Sequence, residues 1–156
     1  MPDWISHLLL GLIIAKLFRV KKKSLVLLGA ILPDIIFQIY HLSLFFKIPE
    51  NTEWLLVGFH QPFSLIIISL LIPFFFKYNY FKSFSLITIG WIGHVIIDIL
   101  NVASFNHAMI LLPFSWTVVS FGSFYIAEYL FYILLLGNIY LLLIIIDYFR
   151  YKKVMF

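Results

Sequence analysis

His94 and Asp98 stand four residues apart, the spacing that puts two side chains on one face of a helix. In the order His-x-x-x-Asp, an imidazole nitrogen and a carboxylate oxygen can meet a single ion. His7, Asp34 and His60 are three further ionisable residues set in apolar runs. Such groups are costly inside a membrane span and usually face protein or water. Together, His7, Asp34, His60, His94 and Asp98 supply imidazole nitrogen and carboxylate oxygen, a donor set that suits zinc or another divalent first-row metal. An ion would also offset the burial of the carboxylates. Asp34 serves either as a further ligand or as the general base for a metal-activated water. Ser64, Asn101 and Glu128 are candidate hydrogen-bond partners behind the ligands. Gly11 and Gly90, each one turn from a histidine, would let a neighbouring helix approach closely.

Each residue alone also has a plainer reading. A single histidine within a membrane often only bonds a neighbouring helix. His7 and Asp98 fall near the ends of apolar runs, where water can reach them. Pro33-Asp34 can be a helix break with the aspartate capping the next half-helix. His41 is either a further polar group of the site or an interfacial residue. His107 is expected in a solvated outer segment.

The elements that must position these residues are read from composition and hydropathy. The chain has 156 residues, 63% hydrophobic and 12% charged, with a mean hydropathy of +1.06. Soluble domains carry about 25% charged residues, so an ordinary globular domain and a disordered tail are both excluded. Cysteine is absent, which removes disulfides, thiolate ligands and a cysteine nucleophile. The formal charge is +4 and the pI about 9.3. The basic residues cluster at the ends of apolar runs, which points to anionic lipid headgroups rather than nucleic acid.

Five apolar runs follow one another: Trp4 to Val20, Ser24 to Phe46 with Pro33 inside it, Trp54 to Phe76, Tyr80 to Asn101, and Phe124 to Tyr148. Each is about long enough to span hydrocarbon, the first marginally. Helices are expected, because a lipid-exposed backbone must satisfy its own hydrogen bonds. Lysines follow the first run rather than precede it, so it reads as a retained helix and not a cleaved signal. Residues 102–123 are apolar but broken by Asn106, His107, Pro113 and Gly122, and read as a re-entrant or interfacial segment. The expected fold is therefore all-α: a single transmembrane domain over 1–156, a polytopic bundle of about five helices.

Five spans place Lys16, Arg19, Lys21, Lys22, Lys23, Lys77, Lys82, Arg150, Lys152 and Lys153 on one side and Lys47 on the other. That asymmetry makes the basic side cytoplasmic. The expectation is a protein integral to the cell membrane, N-terminus outside and C-terminus cytoplasmic. Counting along the spans at about 1.5 Å per residue, the candidate ligands gather in the outer half of the membrane. Asp147 alone belongs to the cytoplasmic end.

The order of motifs carries a resemblance. It runs Ser6-His7 with Gly11, then Gly29-Ala30-Ile31-Leu32-Pro33-Asp34, then His60 with Ser64-Leu65. Gly93-His94-Val95-Ile96-Ile97-Asp98 and Leu111-Leu112-Pro113-Phe114-Ser115-Trp116 complete it. Over about residues 3 to 118 the chain resembles the small membrane-bound metal-dependent hydrolases typified by YdjM, a bacterial inner-membrane protein. That resemblance implies metal-ligand roles for His7, Asp34, His60, His94 and Asp98, and a distant similarity to zinc-dependent phospholipases. The chain departs from the family pattern in two places. Ile35 and Ile36 follow Leu-Pro-Asp where a second aspartate is common, and His60-Gln61-Pro62-Phe63-Ser64 replaces paired histidines ending in His-Ser.

The function expected is a membrane-embedded hydrolase with a divalent cofactor, zinc foremost, acting on a lipid-like phosphoester or ester. Membrane lipids are its expected partners, with no nucleic acid. Two other functions remain open: a transport component in which the same residues relay protons or cations, and a non-catalytic scaffold whose polar groups pack helices.

Overall fold

A computed structural model describes residues 4–45, 61–100, 114–115 and 129–154. Five helices account for nearly all of these: α1 (Trp4–Leu17), α2 (Lys23–Phe45), α3 (Pro62–Leu71), α4 (Tyr80–Leu100) and α5 (Tyr129–Val154). Among the described residues there is no strand. The span boundaries read from hydropathy shift in detail. Helix α1 closes three residues short of Val20, and α2 runs unbroken through Pro33 instead of stopping there. Most of residues 102–123, together with 54–60 and 124–128, lie outside the described residues.

Local sequence explains the helix ends. Helix α1 closes in a Schellman turn: Val20 N–H donates to the Ala15 carbonyl at 2.8 Å, and Arg19 N–H to the Lys16 carbonyl at 3.1 Å. Arg19 there adopts φ 50°, the left-handed conformation usual for this position but usually filled by glycine. Helix α3 starts on Pro62, which needs no donor at the first position. Pro73 then removes the amide that would bond the Ser69 carbonyl, and the chain tightens into a 3₁₀ turn over Ile72–Phe75. Asn79 caps α4, its side-chain oxygen accepting from Lys82 N–H at 3.1 Å. Tyr80 donates its hydroxyl to the Leu70 carbonyl at 2.8 Å, pinning the start of α4 to the end of α3.

The helices reverse direction from one to the next. Helix α2 therefore runs parallel to α4, and among the described helices these two pack most extensively. Two glycines permit it. A Cβ on Gly29 would collide with the Ile87 carbonyl, and a Cβ on Gly90 with the Val26 carbonyl. Helix α1 crosses α2 where Gly11 meets Leu27 and Ala30. Below this contact lies an apolar core of Ala15, Leu25, Val26, Leu86 and Ile87, flanked by Ile14, Val20, Ile72 and Phe76.

Helix α5 stands at the edge. Only 6% of its segment Leu130–Arg150 is buried, and Leu134, Leu135, Leu141, Leu142, Ile144 and Ile145 all face outward. A helix apolar on most sides is one that a larger core or a membrane covers. Among the described residues, an ion pair of 2.6 Å between Lys16 Nζ and Asp147 Oδ2 ties it to α1. Among the described residues, two helices, Tyr80–Leu100 and Leu130–Arg150, are long and apolar enough to cross a membrane.

Candidate metal centre

The Gly29–Gly90 contact fixes what lies one turn further along. On α4, His94 follows Gly90 by one turn and Asp98 by two; on α2, Asp34 follows Gly29 by little more than one turn. The two helices thus deliver an imidazole and two carboxylates to the same level. Helix α1, packed across them through Gly11, adds His7 near its own start.

All four side chains are removed from solvent: His7 and Asp34 are each 1% exposed, His94 is fully buried, and Asp98 is 9% exposed. His7 Nε2 lies 3.5 Å from Asp98 Oδ1 and 3.7 Å from Asp34 Oδ2. His94 Nε2 lies 3.0 Å from Asp98 Oδ2 and 3.9 Å from Asp34 Oδ1. The two imidazole rings stack with centroids 4.0 Å apart and planes 23° from parallel.

One hydrogen bond sets the chemistry of His94. Its Nδ1 lies 2.8 Å from the Ala30 carbonyl oxygen. A carbonyl only accepts, so Nδ1 carries the proton and Nε2 is turned toward the carboxylates. An unprotonated Nε2 and a carboxylate oxygen 3.0 Å apart repel unless something positive sits between them. Neither ring nitrogen of His7 makes a hydrogen bond, so Nε2 is open to the two carboxylates it faces. A divalent cation would balance the two carboxylates.

Each imidazole faces a different oxygen of each carboxylate. Donor atoms about 2.1 Å from a tetrahedral ion lie about 3.4 Å from one another, and the four separations above, 3.0 to 3.9 Å, bracket that value. His7, His94 and Asp98 each offer a donor atom within 4.8 Å of the other two. The Ala30 bond matches the outer contact that orients a metal-ligating histidine.

Of the residues singled out in the sequence, His7, Asp34, His94 and Asp98 therefore converge. Ser64 sits partly buried in the first turn of α3, which packs on α4. His41 lies within α2. His60, Asn101, His107 and Glu128 lie outside the described residues. Ala30 was not assigned a role from sequence, because its contribution is a backbone oxygen that any residue type could supply.

Comparison with known proteins found no matching family model, no matching curated protein and no matching solved structure.

Proposed function

We propose that this chain is a membrane-embedded metal-dependent hydrolase of the kind its motifs resemble, crossing the bilayer five times and acting on a lipid-like phosphoester or ester. The observation that carries the reading is the placement of two stacked, buried imidazoles between two buried carboxylates at metal-ligand separations. Alternating helix direction, two spans of sufficient length and the apolar surface of α5 support the membrane placement. The basic residues Lys16, Arg19, Lys22, Lys77 and Arg150 all fall toward the end away from the cluster, which supports a cytoplasmic location for that end.

His7, His94 and Asp98 would hold the ion, with Asp34 as fourth ligand or base. Zinc suits the nitrogen and oxygen donors best. When bound, such an ion supplies Lewis-acid polarisation of the scissile group and an acidified water. The chain's own residues do the rest. His94 is held in one tautomer by Ala30. Asp34 Oδ1 or Oδ2 accepts the proton released by the attacking water. Asp98 is the most exposed member of the set, so substrate enters on its side. Burial of the others excludes bulk water from the reacting groups.

Elemental analysis tests this. Protein purified in detergent retains a divalent metal, and His94→Ala and Asp98→Ala lose it while keeping their helical circular dichroism. Equal metal content in wild type and variants removes the reading. A second reading draws on the 3.0 Å His94–Asp98 contact alone. A proton in place of the ion makes it a packing or proton-relay pair. That reading predicts metal-free protein, pH-dependent flux in liposomes and no ester turnover.

A further inference from the structure

We infer that the end of the bundle away from the His–Asp cluster holds a seat for the phosphate of an anionic lipid headgroup, formed by Arg19 and Lys22 beside Lys77. The inference rests on the membrane-spanning reading above and is independent of the metal.

Arg19 is the first observation. It occupies the left-handed position of the α1 Schellman turn, with φ 50°. Any residue with a Cβ is strained there, and glycine is the usual solution. Arginine accepts that strain while its side chain stays exposed, which points to a use for the side chain itself.

The second observation is how the neighbouring loop is held. Val20, directly after Arg19, packs on the apolar core, and so does Phe76, directly before Lys77. Lys22 Nζ lies 4.4 Å from the centre of the Tyr78 ring, a cation–π contact that joins the two loops and orients the ammonium. Arg19, Lys22 and Lys77 are thereby carried on two turns anchored to one core. Lys21, Lys23 and Lys82 extend the same exposed basic rim.

The third observation is charge. The carboxylates among the described residues are Asp34, Asp98 and Asp147. The first two belong to the buried cluster, and Asp147 is paired with Lys16 at 2.6 Å. Arg19 and Arg150 share the field of Asp147 with Lys16, and among the described residues this one carboxylate does not balance the cations of that end, Lys22 and Lys77 included. At the rim of an apolar bundle, the anion within reach is a lipid phosphate. A guanidinium can grip it with two parallel hydrogen bonds, and the two ammonium groups add point charges.

Membrane fractionation comes first, followed by native mass spectrometry of the full chain in neutral detergent. The protein is titrated with phosphatidylglycerol, with phosphatidylcholine and with inorganic phosphate. Phosphatidylglycerol is expected to bind more tightly than phosphatidylcholine, and inorganic phosphate to compete poorly. Arg19→Gly is expected to weaken phosphatidylglycerol about fivefold while its melting temperature holds or rises, since glycine relieves the strained turn. Lys22→Ala should weaken it to a similar degree. Equal affinity for the two lipids, undiminished binding by Arg19→Gly, or full displacement by inorganic phosphate overturns the proposal. A protein found in the soluble fraction overturns this and the spanning reading together, whereas a membrane-resident protein with equal lipid affinities overturns this one only.

Discussion

Gly29 of α2 and Gly90 of α4 meet backbone to backbone: a Cβ on Gly90 would come 3.0 Å from Gly29 Cα and 2.9 Å from Ala30 N. No flexible side chain lies between them to give way. The contact sets the separation of the two helices that carry Asp34, His94 and Asp98.

Gly90→Ala is therefore expected to force α2 and α4 apart, at a cost of about 1–3 kcal/mol, and to lower metal content although no ligand is altered. Gly137 makes the control, because a Cβ there meets nothing within 4 Å. Gly137→Ala should stabilise by up to about 1 kcal/mol through helix propensity. Thermal melts and elemental analysis of both variants check the pair, and identical behaviour would refute the contact.

Metal removal should lower the melting temperature. An ion present at a hundredfold excess over its dissociation constant adds about 2.7 kcal/mol to stability. Chelation is expected to remove that increment and added zinc to restore it. In His7→Ala the melting temperature should no longer respond to either treatment. A zinc response that survives in this variant places the ion elsewhere.

The position of α5 can be tested by cross-linking, because the chain has no native cysteine. Lys16→Cys combined with Asp147→Cys should be joined within one chain by a short bis-maleimide, as their 2.6 Å ion pair requires. Lys16→Cys combined with Leu134→Cys should not. Comparable yields from the two pairs would detach α5 from the place described.

Labelling of single cysteines in intact cells reads the orientation. Trp4→Cys is expected to react with an impermeant maleimide added outside, and Lys22→Cys only after the cells are opened. The reverse pattern would put the basic rim on the outer face and invert the direction from which substrate arrives.

Much of this arrangement is legible in the residues. His-x-x-x-Asp fixes one face of α4, and the early histidine and the Leu-Pro-Asp aspartate lie at depths that allow them to join it. Gly11 and Gly90 read correctly as points of close helix approach. Gly29 was harder to find, because a collision between its Cβ and the Ile87 carbonyl depends on how two helices pair, and hydropathy is blind to pairing. Pro33 misleads for a related reason. Sequence treats a proline in a helix as a break, yet here neighbouring helices pack around the buried ring and α2 continues through it. The Ala30 bond to His94 escapes sequence reading because its acceptor is main chain.

The pairing of α2 with α4 also bears on how the protein is made. Helix α3 is synthesised between the two, so Asp34 is made before His94 and Asp98 exist. During that interval His7 is the one member of the cluster already present. The cluster therefore cannot close until the fourth helix is made, and α2 has to wait for it.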